Sequence, residues 1–303
     1  MNAALAAEES FFQPPRNVGF FAPNHAFQES YTMYDLATLE ASLAGTIFSA
    51  RLHYAPTTAS TNSDALAAAR NAAPHGSVYF ADEQTAGRGR GDHGWLSAAG
   101  EGLYVSVLLR PRLPPARLAL LPLAAGLAAA QAIYSVSGLA VDLRWPNDLL
   151  IGPCKVGGIL VEAQPNSQSL SHAEPLRTVA VVGIGINVHQ RAFPPGLATP
   201  ATSLDLASVG SASGRRISRQ ALLIALLKSL ERETGLLSDP AAATSVFQRV
   251  EQASTWIRGR KVQVHGPQAC EGVTAGLDEN GFLRVETDAG LITVQTGGLR
   301  AEN

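Results

Sequence analysis

Lysine is almost missing from this chain. Of 23 basic residues only Lys155, Lys228 and Lys261 are lysines, and the rest are arginine. Where lysine is used so rarely, each one calls for its own explanation. Charge of either sign is also scarce, 16% of residues against about 25% in an average soluble domain. With 46% of residues hydrophobic, wholesale disorder is excluded, because disorder requires the reverse balance. A formal net charge of −2 gives no basic excess for a dedicated nucleic-acid binder. Cysteine occurs only at Cys154 and Cys270, too few for a disulfide framework, and no C-x-x-C or His/Cys cluster points to zinc. A cytoplasmic, reducing location without a protein-held metal is therefore expected. No run of about 18 residues is apolar enough for a membrane span. The nearest, 118–136, contains Pro122, Gly126 and Gln131 and reads as a buried helix.

At 303 residues the chain is one large or two modest domains. Residues 1–34 stand apart. Phe11, Phe12, Phe20, Phe21 and Phe27 lie there among Pro, Asn and Gln without helical or strand period, and no export signal is visible. They read as a poorly ordered extension, and the amphipathic pattern that starts just after Met33 marks the expected beginning of the folded part. From residue 50 onward, strand and helix signals alternate. Strands are expected at 52–55, 77–81, 103–109, 141–144, 149–151, 156–163 and 178–188, and helices at 64–72, 115–137, 217–236 and 240–254. The run 60–63 offers an N-cap for the 64–72 helix. Glycine-rich and Pro/Gly/Ser-rich loops fill 86–102 and 189–216. Beyond Ile257 the pattern becomes short β runs at 261–265, 269–277, 282–287 and 291–295 separated by turns, the signature of a small all-β barrel with a boundary near 256. No internal repeat is present.

Three stretches can carry chemistry. In Glu83-Gln-Thr-Ala-Gly-Arg-Gly-Arg-Gly-Asp-His-Gly-Trp95, glycines bracket Arg88 and Arg90. Glycine lets backbone N–H groups approach an anion, and arginine offers a fork of donors to carboxylate or phosphate. No G-K-[ST] follows, so this is not a P-loop, and taken alone such a run reads first as a mobile surface loop with solvated arginines. In Arg144-Trp-Pro-Asn-Asp148 and Lys155-Val-Gly-Gly-Ile-Leu-Val-Glu162, a hairpin brings Asp148 and Lys155 towards one edge of a pocket. The plain alternative is an exposed ion pair, but Gly157 and Gly158 within a strand mark close approach by a ligand or another backbone. In Val181-Val-Gly-Ile-Gly-Ile-Asn-Val188 the glycines lack the third member and the following helix of a dinucleotide fingerprint, and Asn187 stands alone among apolar residues.

With Ser60-Thr61-Asn62, these motifs occur in an order and spacing that resembles the biotin protein ligase family, enzymes that attach biotin to carboxylase carrier domains. The resemblance runs from about residue 35 to the end. It implies an α+β fold: a mixed β-sheet with helices, similar to class II aminoacyl-tRNA synthetases, over 35–256, and an SH3-like barrel over 257–303. It implies two steps. Biotin and ATP, with Mg2+, give biotinyl-5′-AMP and pyrophosphate. The ε-amine of a lysine on a biotin carboxyl carrier protein, as in acetyl-CoA carboxylase, then attacks the mixed anhydride. By resemblance, Ser60, Thr61, Asn62, Gln84, Arg88, Gly89, Arg90 and Lys155 line the biotin site. Arg88, Arg90, Trp95, Asn147, Lys155 and Asn187 meet the nucleotide, with Trp95 packed at the base of the loop.

The chemistry agrees. Adenylation brings a carboxylate against a polyphosphate, and Arg88, Arg90 and Lys155 supply the required cations. A compact lysine ammonium on a flexible stem can follow charge from the carboxylate to the α-phosphate. Asp148 is a poor simple base for the acceptor amine, since ~3.9 faces ~10.4, so it is expected to orient and recruit that amine instead. Gly91-Asp92-His93-Gly94 stands where many family members carry further basic residues, which implies weaker retention of the adenylate. Residues 1–49 offer a single convincing helix, so no DNA-binding module and no DNA partner are expected. Family members can pair through the catalytic domain, so the resemblance leaves a homodimer open, and no feature of the sequence decides it. Lipoate protein ligase, which shares the fold and the adenylation logic, and a non-catalytic biotin-binding relative are the competing readings.

Overall fold

The structure is a computed structural model that describes residues 34–91, 93–165, 178–209 and 216–301. The expected extension before Tyr34 and the Asp92 substitution in the loop lie outside the described residues. Helix α1 (Leu36–Ser42) opens the described chain, N-capped by Asp35 through the backbone N–H of Thr38. Then come β1 (Leu52–Thr58), α2 (Thr61–Arg70), β2 (Ser77–Gln84) and β3 (Gly102–Leu109), with the Gly/Arg loop between the last two. A 3-10 turn (Pro115–Ala119) leads into α3 (Leu120–Ser137), followed by β4 (Asp142–Arg144), β5 (Asp148–Ile151), β6 (Cys154–Pro165) and β7 (Thr178–Asn187). The helices α4 (Leu204–Ala207), α5 (Arg219–Leu236) and α6 (Pro240–Gln252) precede the strands β8 (Arg258–His265), β9 (Cys270–Leu277), β10 (Leu283–Thr287), β11 (Gly290–Val294) and β12 (Gly298–Ala301).

Seven strands form one sheet in the order β1-β2-β3-β7-β6-β5-β4, parallel only between β1 and β2. The other five form an antiparallel, barrel-like sheet in the order β11-β10-β9-β8-β12. The fold is therefore the expected mixed sheet with helices followed by a small β unit. Four details differ. Helix α2 starts at Thr61 rather than 64, because Ser60 itself is the extended N-cap residue. The 115–137 helix begins with a 3-10 turn over Pro115–Ala119, entered from Pro114 at its N-cap. The 189–216 connection contains the short α4, capped by Ser203. Strand β12 was not legible locally, for it gains its place by pairing with β8 thirty-odd residues earlier.

The large sheet has two different faces. On one, Leu103, Val105, Val107, Val182, Ile184, Ile186 and Ile159 are fully or nearly fully buried and pack in one core with α3 and α5. Each such side chain contributes about 2 kcal/mol when withdrawn from water. Contrary to the expectation from sequence, the helical stretch Pro115–Ser137 is by length and composition long and apolar enough to cross a bilayer; as expected, it is mostly buried in this core. The opposite face alternates with the first, and there β7 presents Gly183, Gly185 and Asn187. Helix α2 lies on that face, with Ala69 packed on Leu108 and Val179.

Candidate functional site

The glycines of the second face make a trough. Gly185 pairs with Gly158 across β7 and β6, and Gly158 pairs with Asp148 on β5, so one cross-strand row reads Asp148, Gly158, Gly185, Tyr104. The Trp95 indole lies on the two glycines. A Cβ on Gly185 would stand 2.5 Å from Trp95 Nε1, and one on Gly158 would stand 3.5 Å from Trp95 Cζ3. Trp95 is held there by its backbone N–H, which donates to Gly87 O at 2.8 Å, and by the bridges Arg88–Gly94 and Gln84–Ser97 across the loop. Its Nε1 is enclosed without an acceptor.

One wall of the trough is the first turn of α2. The backbone N–H and hydroxyl of Thr61 both donate to Gln84 Oε1, at 2.9 and 3.1 Å. Thr61 Oγ1 also lies 2.7 Å from Ser106 Oγ, and Ser106 Oγ donates to Asn62 Oδ1 at 2.6 Å. Asn62 Nδ2 donates to Glu162 Oε2 at 2.8 Å. Gln84 Nε2 donates to Ser97 Oγ at 2.8 Å, which ties this wall to the loop. Ser60 caps α2 through its backbone and spends no side-chain hydrogen bond on the helix. Asn62 reaches this position because Gly183 beneath it has no side chain; a Cβ there would overlap its Oδ1.

At the end of the trough stands the ion pair expected from the hairpin. Lys155 Nζ is 2.6 Å from Asp148 Oδ1 and 5.5 Å from the centroid of the Trp95 ring. Strict alternation along β6 would send Lys155 to the core side, opposite Gly158. A register shift opposite Leu149 and Leu150 places the extra residue Val156 in the core and turns Lys155 into the trough. The other oxygen, Asp148 Oδ2, accepts from Arg144 Nε and Nη2 at 3.1 and 2.6 Å. Burial by itself raises the Asp148 carboxyl, but the charges and hydrogen bonds of Lys155 and Arg144 outweigh it and hold the group below its ordinary value.

Known proteins resemble this chain in sequence and fold. The model of the Biotin/lipoate A/B protein ligase family matches residues 54–175. The chain is 34% identical over 243 residues to "Bifunctional ligase/repressor BirA" of Bacillus spizizenii, covering 79% of this chain and 70% of that one. It is 31% identical over 245 residues to "Biotin--[acetyl-CoA-carboxylase] ligase" of Mycobacterium tuberculosis, covering 79% and 85%. The chain belongs to the biotin protein ligase family. Among solved structures it resembles the biotin protein ligase from Aquifex aeolicus in complex with biotin and ATP, with a TM-score of 0.68, 29% identity and coverage of 84% of this chain and 100% of that one.

In this biotin ligase fold the residues singled out by sequence converge unevenly. Thr61, Asn62, Gln84, Trp95, Asp148 and Lys155 line the trough together. Arg88 pairs bidentately with Glu162 at 3.2 and 2.7 Å. Arg90 reaches away, donating to Asn147 Oδ1 at 3.3 Å, to Gly297 O at 2.8 Å and to Thr296 Oγ1 at 3.3 Å. Gly89 holds the loop turn through its N–H to His93 O at 2.7 Å. Asn147 Nδ2 donates to Ile159 O at 2.9 Å, and Asn187 Nδ2 donates to Thr202 O at 3.0 Å, on the rim. Sequence reasoning missed Ser106, Glu162, Thr296 and Gly297 as parts of this network. Ser106 had a signal, being the one serine in the apolar strand 103–109. The segment 199–202 had none, yet Pro200 O accepts from Lys155 N at 2.7 Å and Lys155 O accepts from Thr202 N at 2.9 Å.

Among the described residues no group of three or more His, Cys, Asp or Glu converges on a metal position. The described residues thus offer no carboxylate cage for magnesium.

Proposed function

We propose that this chain is a biotin protein ligase that uses ATP to convert biotin to biotinyl-5′-AMP and transfers the biotinyl group to a lysine ε-amine on a biotin carboxyl carrier domain. The observation that carries this reading is the Lys155–Asp148 pair at one end of a glycine-floored trough whose other wall is the hydrogen-bonded set Thr61, Asn62, Gln84. The free hydroxyl of Ser60 and the ordered oxygens and amides of Thr61, Asn62 and Gln84 suit a ureido ring, which offers both donors and acceptors. The Gly183 and Gly185 floor leaves room for an apolar ring and chain beside Trp95.

In the first step a biotin carboxylate oxygen attacks the α-phosphorus and pyrophosphate leaves. Both reactants are anions, so the cations decide the rate. Lys155 leaves Asp148 Oδ1 to bridge carboxylate and α-phosphate, while Arg88 and Arg90 from the loop and the amide of Asn187 at the rim meet the nucleotide. Magnesium accompanies ATP as its counter-ion. In the second step the acceptor amine takes the place at Asp148 Oδ1 that Lys155 occupied, attacks the acyl carbon, and AMP leaves with water or the departing phosphate receiving the proton. Closure of the loop over the adenylate protects the anhydride from water.

Biotin-dependent exchange of pyrophosphate into ATP tests the first step. Exchange with biotin supports the reading; exchange only with lipoate moves the chain to the lipoate side of its family model, and none with either acid contradicts adenylation here.

A further inference from the structure

Arg144 stands outside every role assigned so far. It sits at the end of β4, directly opposite Asp148 in the β4–β5 register, and is 8% exposed. Its guanidinium is fixed from three sides. Nε and Nη2 hold Asp148 Oδ2, Nη2 also donates to Thr199 Oγ1 at 2.8 Å, and the plane lies 5.2 Å from the centroid of Trp256. Trp256 is itself covered by Arg260 at 3.8 Å. Thr199 belongs to the strap whose next residues bond the backbone of Lys155.

The division of the carboxylate is the informative feature. Arg144 monopolises one oxygen with two hydrogen bonds, and Lys155 has only the other. A carboxylate free to rotate would exchange its oxygens and offer an incoming amine either edge. Here an exchange would have to break both Arg144 hydrogen bonds to Oδ2 at once, so the guanidinium keeps that oxygen on its own side and leaves Oδ1 to the trough. We infer that Arg144 is a positioning residue for the acyl-transfer step: it locks Asp148 so that Oδ1, and only Oδ1, faces the trough to receive the acceptor lysine. The inference rests on the ligase reading above. Lys155 and the acceptor amine then use the same oxygen in turn, and no rotation of Asp148 separates the two half-reactions.

The charged groups facing Asp148 are Arg144 from β4, Lys155 from β6 and Arg90 from the Gly/Arg loop. When Lys155 leaves for the adenylate, Arg144 is the one that still touches the carboxylate and keeps it ionised. Its loss should therefore be felt in transfer, where an ionised and oriented Asp148 is required, more than in adenylation, where Lys155 acts.

The test measures both half-reactions in the full chain for wild type, Arg144→Gln and Arg144→Lys, as biotin-dependent pyrophosphate exchange and as single-turnover transfer from preformed biotinyl-5′-AMP to a carrier domain. Removal of one charge-assisted contact predicts transfer slowed about 10- to 100-fold in Arg144→Gln. Exchange should stay within about threefold, since Lys155 is untouched. The acid limb of the transfer rate should move to higher pH in Arg144→Gln, and Arg144→Lys should recover part of both the rate and the limb. Equal slowing of both half-reactions with an unmoved pH profile would overturn the inference and leave Arg144 a structural residue, as would full transfer in Arg144→Gln. A wild type lacking both half-reactions would instead overturn the ligase reading, and this inference with it.

Discussion

Lys155 is poised rather than free. Its ammonium sits 2.6 Å from Asp148 and over Trp95, and its backbone is strapped by Pro200 and Thr202. Lys155→Ala removes a preorganised cation and should lower pyrophosphate exchange by ~10²–10³ while far-UV circular dichroism stays that of wild type; exchange at the wild-type rate would refute the role. Asp148→Asn keeps the shape and loses the charge, so transfer should slow more than adenylation. The same residue carries a pH signature. Because its folded value is held below the unfolded one, Asp148 contributes stability that is complete above the ordinary Asp value of about 4 and is lost as pH falls through the lower folded value. Urea midpoints from pH 3 to 5 should accordingly fall less steeply for Asp148→Asn than for wild type. At this scale the sequence was informative where motif residues sit a few positions apart, as Asp148 and Lys155 do. It was silent on Thr199, Thr296 and Gly297, which reach Arg144 and Arg90 across separations of 55, 206 and 207 residues that no local pattern encodes.

The elements show why the motif glycines are needed. In β7 the apolar residues Val182, Ile184 and Ile186 point to the core, and the alternating glycines leave the site face bare. Gly185→Ala would drive a methyl into Trp95, so it should reduce biotin-dependent exchange at least ~10-fold while shifting Tm by only a few degrees. The alternation was legible in the sequence as a strand, but the bulge in β6 was not. Counting by twos from Gly158 points Lys155 into the core, and only the pairing partner on β5 reveals the extra residue. Away from the site, Glu233 on α5 is fully buried, with Oε1 bonded to Arg232 and Arg249 and Oε2 unpartnered. Arg249→Ala would leave that carboxylate with Arg232 alone and should destabilise the protein by about 2 kcal/mol in urea unfolding; no change would mean that water already satisfies it.

Across the whole molecule the two sheets share one core. Trp256, Ile257, Val262, Val264, Leu283 and Val285 belong to the same buried cluster as Leu120, Leu123 and Leu127 of α3. Trp145 Nε1 donates to Gly281 O at 3.1 Å, and Gly281, at φ +86°, packs so tightly on Leu120 and Leu123 that a Cβ would lie 2.7 and 3.0 Å from them. The described residues from Tyr34 onward accordingly fall in one compact unit. Calorimetry should show the two sheets melting in a single transition, and two separated transitions would contradict a shared core. The sequence marked the change of pattern near residue 256 but could not show that the 296–297 segment between β11 and β12 holds the Gly/Arg loop through Arg90. Under the proposed mechanism the chain's scarce lysine has a reason at one position of three, since Lys155 would act as a mobile point charge where a rigid guanidinium would serve less well. The account's central claim is met most directly by the intact mass of a biotin carboxyl carrier domain incubated with this protein, ATP, magnesium and biotin. It predicts the gain of one biotinyl group on a lysine, lost with Lys155→Ala; an unchanged carrier mass with biotin, beside a gain with lipoate, would contradict it.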